Sequence, residues 1–291
     1  MSRENIQPQG CPVVYRGFHQ HGVAITLTPH QVIELRKANL KTYNRVRREY
    51  EERRGKRYTS TVKEEDILTG NTKKFVFSTS TLAHMSGFVR DSCNGLNMIA
   101  VPGGTINHVQ AIADVELKAC YKLDQVQVLV VAGLNNFMAG VTNMSNDYQP
   151  VDNIVQDMRN LKERVKRILP NCTFDAIPLP LIPKLCCSQF EMGTAYVGGG
   201  EGKRSEDILF FNRMLRDEIN DTPHSVSLED AGIVKPTPSK FWYFPGFDKK
   251  TGVSFVCGDW RQTEFLPRAV HLSDSCQRAF WYQKVVPYFA Q

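Results

Sequence analysis

No stretch of the 291 residues approaches the ~20 uninterrupted apolar residues that a membrane-spanning helix needs. Met1 to Gly10 is polar and lacks the apolar core of a secretory signal, so the expectation is an intracellular protein of the cytoplasm or nucleus. The eight cysteines lack metal-ligand spacing, and a chain of this length does not need disulfide staples. They read as reduced thiols, with Cys186-Cys187 a pair of small packed residues rather than a redox site. Two glycosylation-type triplets, Asn143-Met144-Ser145 and Asn171-Cys172-Thr173, carry no meaning without secretion. Gly198-Gly199-Gly200 is not followed by Gly-Lys-Ser/Thr, which argues against a phosphate-binding loop. No zinc knuckle, no RNA-recognition signature and no internal repeat is present, and no metal or cofactor is implied.

What is present is an ordinary globular composition with one uneven feature. The hydrophobic share of 42% suits a soluble fold, and the length allows one large domain or two small ones. The net charge is +6. Between His30 and Arg57 stand ten Lys/Arg and four Glu, a surplus of six, so the rest of the chain sums to about zero. The positive charge is concentrated in one segment.

Thr28-Pro29 reads as an N-cap followed by proline at the first helical position. A helix is expected to about Arg54, with Val32, Leu35, Leu40, Tyr43, Val46 and Tyr50 as a thin apolar stripe and Gly55 as terminator. Before it, Val13-Val14-Tyr15 and Val23-Ala24-Ile25 suggest short strands. Residues 56–72 are polar and read as a linker. The expected organisation is an N-terminal arm with the basic helix and linker over 1–72 and an α/β domain over 73–291.

From Lys73 strands and helices alternate. Phe75-Val76-Phe77, Met98-Ile99-Ala100-Val101, Val126 to Ala132, and Phe174 to Leu181 are strand signals. Helical spacing follows in Leu82/Met85/Phe88/Val89, in Ile106/Val109/Ile112/Ala113, in Val151 to Ile168, and in Ile208/Phe211/Leu215/Ile219. Such alternation means a parallel sheet covered on both faces. Two insertions break it: a glycine-rich loop at 193–203, and a hairpin formed by Phe241 to Phe244 and Val253 to Val256.

In sheets of this kind ligands bind beyond the carboxyl ends of the strands. Those ends carry Ser78-Thr79-Ser80, Pro102-Gly103-Gly104-Thr105 and Gly133-Leu134-Asn135-Asn136, while Val270-His271-Leu272-Ser273 precedes the last helix. A serine where a strand enters a helix sits at the helix's positive end, which helps stabilise charge developing in acyl transfer. Glycine lets a backbone N–H approach a reacting oxygen, asparagine can donate another hydrogen bond, and histidine can shuttle the proton. Singly these are ordinary caps and turns; the information lies in their order at successive strand ends.

The order Ser, Gly, Asn, His resembles the SGNH (GDSL-like) hydrolase superfamily over roughly residues 73–291. The resemblance implies a flavodoxin-like three-layer α/β/α sandwich with a parallel five-stranded sheet, here preceded by the basic helix. It implies Ser80 as nucleophile and His271 as general base of a serine esterase. The oxyanion hole would then be formed by the Ser80 and Gly103 backbone N–H groups and the Asn135 side chain. The helix with Phe211-Asn212 and Leu215 is similar to the family's fourth helix. The chain departs from the pattern in three places. Ser78-Thr79-Ser80 stands for Gly-Asp-Ser, Asn136 stands for the family's Asp, and Arg268 stands where an acid normally orients the histidine. A backbone carbonyl could orient His271, another acid among Glu264, Asp259 and Asp274 could substitute, or the site could be silent.

The basic helix has two readings. One is a solvated helix of Glu/Arg pairs packed on the domain. The other is an arm that neutralises RNA or DNA phosphates through Arg47, Arg48, Arg53, Arg54, Lys56 and Arg57, with Tyr43, Tyr50 and Tyr58 stacking on bases. The resemblance extends to retrotransposon-type esterases, encoded beside nucleic-acid-binding segments, and to OSK-like domains, which lack the catalytic residues and bind RNA. The function expected first is hydrolysis of a small carboxylic ester. The alternative is a catalytically silent module binding nucleic acid or a protein partner.

Overall fold

A computed structural model describes residues 14–15, 25–55, 58–79, 82, 95–122, 124–138, 149–179, 191–192, 195–196, 203–222 and 281–290. The chain opens with a two-stranded antiparallel ribbon, β1 (Val14–Tyr15) and β2 (Ile25–Thr26). Helix α1 (Pro29–Arg54) follows. The Thr28 hydroxyl accepts from the Gln31 N–H at 3.2 Å, and the Gln31 side chain accepts from the Thr28 N–H at 2.9 Å. This reciprocal pairing satisfies two otherwise orphan donors, and Pro29 removes a third.

The segment 58–72 is more structured than a linker. It holds strand β3 (Thr59–Ser60) and helix α2 (Glu64–Thr69). Arg36 of α1 reaches across to the Thr69 carbonyl at 2.5 Å, so one of the basic residues serves the end of α2.

The main sheet has five strands in the order β3-β5-β4-β6-β7, where β4 is Lys74–Ser78, β5 Leu96–Ala100, β6 Gln127–Val131 and β7 Thr173–Ala176. The last four are mutually parallel, and the short β3 closes one edge antiparallel to β5. Continuous apolar runs produce this. Phe75, Val76, Phe77, Met98, Ile99, Val128, Leu129 and Val130 are all buried, because both faces of the sheet are covered.

Helix α3 (Ile106–Glu116) connects β5 to β6, and α5 (Val151–Ile168) connects β6 to β7; between them lies the short α4 (Leu134–Met138). Both long crossovers run the same way across the sheet, so right-handedness puts α3 and α5 together on one face. Lys74 and Asp175 share the other face and both bond to α7 (Val286–Ala290), the C-terminal helix. The Lys74 ammonium donates to the Phe289 carbonyl at 2.8 Å and the Tyr288 hydroxyl to Asp175 at 2.5 Å. The result is the expected three-layer α/β/α sandwich, with the fifth strand antiparallel.

The open edge at β7 and the residues just after it are covered by side chains of α6 (Lys203–Met214) and of Asn220, which follows the π-helical turn Leu215–Ile219. Asn212 bonds both the N–H and the carbonyl of Leu179, at 2.7 and 2.8 Å. Asn220 does the same to Ala176, at 2.7 and 3.1 Å. Each amide imitates a strand partner and leaves fewer backbone groups for another chain to pair with.

At the start of the glycine-rich segment 193–203, β8 (Glu191–Met192), just before it, pairs antiparallel with β9 (Ala195–Tyr196), and Lys203 begins α6. The expected hairpin over 241–257 and all but Leu82 of the expected helix over 82–89 lie outside the described residues.

Candidate active site

Three strand ends meet at the carboxyl edge of the sheet. Val101 N–H donates to the Ser78 carbonyl at 2.8 Å, and Thr79 N–H donates to the Val131 carbonyl at 3.2 Å. The residues leading into Ser80 are thereby held between the ends of β5 and β6. The chain passes from β4 to a neighbour on one side, then crosses to the other, so this is the sheet's switch point, the position at which sheets of this kind bind ligands.

On the β5 side the turn Pro102–Gly103–Gly104 stops short of α3. Gly103 adopts φ +70, the left-handed region that favours glycine, although a Cβ there would meet nothing within 4 Å. Glycine is needed here for the backbone angle rather than for space. On the β6 side Gly133 has φ +126, an angle that calls for glycine, and a Cβ would press on Leu179 Cδ1 at 3.1 Å.

Asn135 and the glycine turn, which the sequence reading brings together, are adjacent. Asn135 Nδ2 donates to the Gly104 carbonyl at 2.7 Å. An amide NH₂ has two hydrogens, so one remains for a further acceptor. Beneath it, Phe137 and Phe211 pack edge to face with centroids 5.6 Å apart. Ser80 and His271 lie outside the described residues, as do Arg268, Glu264, Asp259 and Asp274. Thr79 is buried and its hydroxyl meets no hydrogen-bond partner among the described residues.

Sequence reasoning missed the role of Asn136. Its side chain is buried, its Oδ1 accepts from Ile106 N–H at 3.0 Å, and its Nδ2 faces Gln149 and Asp157. The sequence marked Asn136 only as a departure from the family's Asp; Gln149 and Asp157 carried no signal.

Cysteine chemistry finds no support among the described residues. Burial raises the Cys120 thiol well above its usual value and pushes Cys172 up to about 11, which keeps both protonated at neutral pH. No group of three His, Cys, Asp or Glu able to hold a metal occurs among the described residues, and no helix there is long and apolar enough to cross a membrane.

The basic helix is strongly committed to its own neighbours. Lys37 pairs with Glu34, Arg45 with Glu49, Arg47 with Glu51 and Arg48 with Glu52. Tyr43 and Tyr58 are buried around the carboxylate of Glu116, so the expectation that they stack on bases fails; they are part of the core. Tyr50 is half-buried with its ring edge-to-face against Tyr58. Arg47 donates to the Tyr43 hydroxyl at 2.9 Å and is itself half-buried. Lys41, Arg53 and Arg54 stay exposed without an ion pair to a described residue; Lys56 and Arg57 lie outside the described residues.

No protein-family model matches the chain, and no curated protein matches it in sequence. Among solved structures, one provisionally described as a platelet activating factor from Streptococcus pneumonia is 12% identical, with a TM-score of 0.45 over 90% of this chain and 99% of that one. A provisionally described GDSL-like lipase from Parabacteroides merdae is also 12% identical, with a TM-score of 0.33 over 50% of this chain and 74% of that one. At this distance neither neighbour assigns a role to any residue here.

Proposed function

We propose that this chain is a serine hydrolase of the SGNH type, acting on a small carboxylic ester. The observation that carries the reading is the meeting of Thr79, the Gly103 turn and Asn135 at one switch point of the sheet, with Asn135 Nδ2 bonded to the Gly104 carbonyl. In this reading the Ser80 hydroxyl oxygen bonds to the ester carbonyl carbon while His271 takes its proton. The carbonyl oxygen gains negative charge and is met by the Ser80 and Gly103 N–H groups and the free hydrogen of Asn135 Nδ2. The C–O bond to the alcohol then breaks, and His271 returns the proton to the leaving alkoxide. Water, deprotonated by His271, attacks the acyl-serine; the carboxylic acid leaves and Ser80 recovers its proton.

Labelling with a fluorophosphonate probe tests this reading, with wild type beside Ser80→Ala and the labelled peptide identified by mass spectrometry. The expected result is a label on Ser80 that disappears in the variant. A folded wild type that takes no label would overturn it.

A second reading keeps the fold and makes the basic helix the functional face. What favours it is the group of exposed cations Lys41, Arg48, Arg53 and Arg54 along and at the end of α1, joined in sequence by Lys56 and Arg57. Binding of a nucleic acid there should weaken steeply with salt, and neutralising Arg53 and Arg54 should flatten that slope by roughly one unit per lost phosphate contact. Binding that ignores salt would remove this reading.

A further inference from the structure

We propose that Asn136 and Asp157 are positioning residues that hold the two arms of the oxyanion hole at a fixed separation. The inference rests on the serine hydrolase reading above. Consecutive side chains at the end of β6 grip the end of β5 from two directions. Asn135 Nδ2 donates to the Gly104 carbonyl at 2.7 Å, and Asn136 Oδ1 accepts from the Ile106 N–H at 3.0 Å. Gly103 and Asn135, which supply two of the oxyanion donors, are therefore tied to each other through residues 104–106 and 136.

The orientation of the Asn136 amide is set by its surroundings. A backbone N–H can only donate, so Oδ1 must face Ile106. Nδ2 then points to Gln149 Oε1 at 3.1 Å and Asp157 Oδ2 at 3.4 Å. Gln149 Nε2 in turn donates to the same Asp157 oxygen at 2.9 Å. From Ile106 through Asn136 and Gln149, these bonds run toward the carboxylate of Asp157 on α5. With Asn136 only 1% exposed, solvent cannot replace a lost partner. A carboxylate at 136 would meet the Asp157 oxygen at close range with no donor between them. The asparagine at this position is thus matched to the aspartate on α5.

The match makes a swap experiment possible. Asn136→Asp should repel Asp157, loosen the grip on the α3 entrance and slow labelling of Ser80 by on the order of tenfold to a hundredfold. In Asn136→Asp combined with Asp157→Asn, a flipped Gln149 amide can satisfy both ends, and labelling should return to within a few-fold of wild type. Asp157→Ala removes the acceptor at a half-buried helical position where alanine is well tolerated, and should slow labelling by about tenfold. It carries the test if Asn136→Asp does not fold. Rates are taken well below the thermal midpoint of each full-length variant, and with a substrate the loss should appear in kcat at nearly constant KM.

A wild type that labels on Ser80, slow single variants and a restored double variant support the inference. A labelled wild type with folded single variants reacting at its own rate overturns the inference and leaves the serine hydrolase reading standing. A double variant no faster than Asn136→Asp also overturns it. A wild type that takes no label overturns both.

Discussion

The Tyr58 hydroxyl donates to the Glu116 carboxylate at 2.8 Å, across 58 positions of sequence, and joins the segment after α1 to the end of α3. Tyr43 from α1 adds a second hydroxyl at 3.2 Å and Ser60 from β3 a third at 2.6 Å. Glu116 is fully buried, and such a group is tolerated only when its acceptor oxygens are satisfied. The three hydroxyls do this and in the same stroke fasten the basic helix to the α/β body. The half-buried Arg47 on Tyr43 completes the cluster.

Glu116→Ala leaves three hydroxyls without their acceptor. At about 1 kcal/mol for each lost bond, with a further amount for the space vacated, a loss of roughly 3 to 4 kcal/mol is expected. Urea unfolding measures it. Tyr43→Phe, which keeps the ring but deletes the donor to Glu116 and the acceptor of Arg47, should cost about 1 to 2 kcal/mol. A Glu116→Ala loss below that of Tyr43→Phe would show that the carboxylate contributes nothing.

The same residue gives stability a pH dependence. Burial raises the Glu116 carboxyl above its ordinary value of 4.5, against the opposing pull of the Ser60, Tyr58 and Tyr43 hydroxyls and Arg47. The folded state therefore holds the proton more tightly than the unfolded chain. That contribution is complete below about pH 4.5 and is lost as the pH rises through the folded value. Glu116→Gln has no such proton. The stability of wild type relative to Glu116→Gln should fall as the pH rises above about 4.5, as read from urea midpoints. A difference that stays constant would mean that the carboxyl ionises alike in both states.

The amide clamps on β7 and the segment that follows it predict a dual effect. Asn212→Ala strips partners from the N–H and carbonyl of Leu179, and Asn220→Ala does so at Ala176. Each should cost about 1 to 3 kcal/mol, because a half-buried backbone pair loses both bonds. The double variant, with the sheet edge opened, should also self-associate, which light scattering over a concentration series would detect.

Gly103→Ala separates torsion from packing. No atom stands within 4 Å of the added methyl, so the penalty is that of φ +70 alone, about 1 to 2 kcal/mol. The variant should fold. If the Gly103 N–H serves the oxyanion, relaxation of the turn should slow fluorophosphonate labelling, on the order of tenfold or more. Labelling at the wild-type rate would remove Gly103 from the proposed site.

Much of the framework was legible in the chain. Strands β4, β5, β6 and β7, helices α3, α5 and α6, and the Thr28-Pro29 start of α1 all fall where periodicity and capping residues place them. Asn135 and the Gly103 turn, which the family resemblance groups together, lie close, with Asn135 Nδ2 on the Gly104 carbonyl. The two-residue strand β3 was not legible, because Thr59–Ser60 has too few residues to show a period. Nor were Tyr43 and Tyr58 as core residues, since a tyrosine among arginines looks the same whether its hydroxyl meets solvent or a carboxylate.

The sequence by itself determined the alternation of strands and helices, the concentration of charge in one helix and the residues at each strand end. These are local properties: a buried face repeats along its own segment, and a cap lies within a few residues of the helix it starts. Only the tertiary structure decided which polar groups satisfy one another. Glu116 with Tyr58, Asn212 with Leu179 and Asn136 with Asp157 join residues from 21 to 58 positions apart. A buried donor or acceptor takes whatever partner the packed layers bring within 3 Å or so, and that choice leaves no periodic trace in the chain.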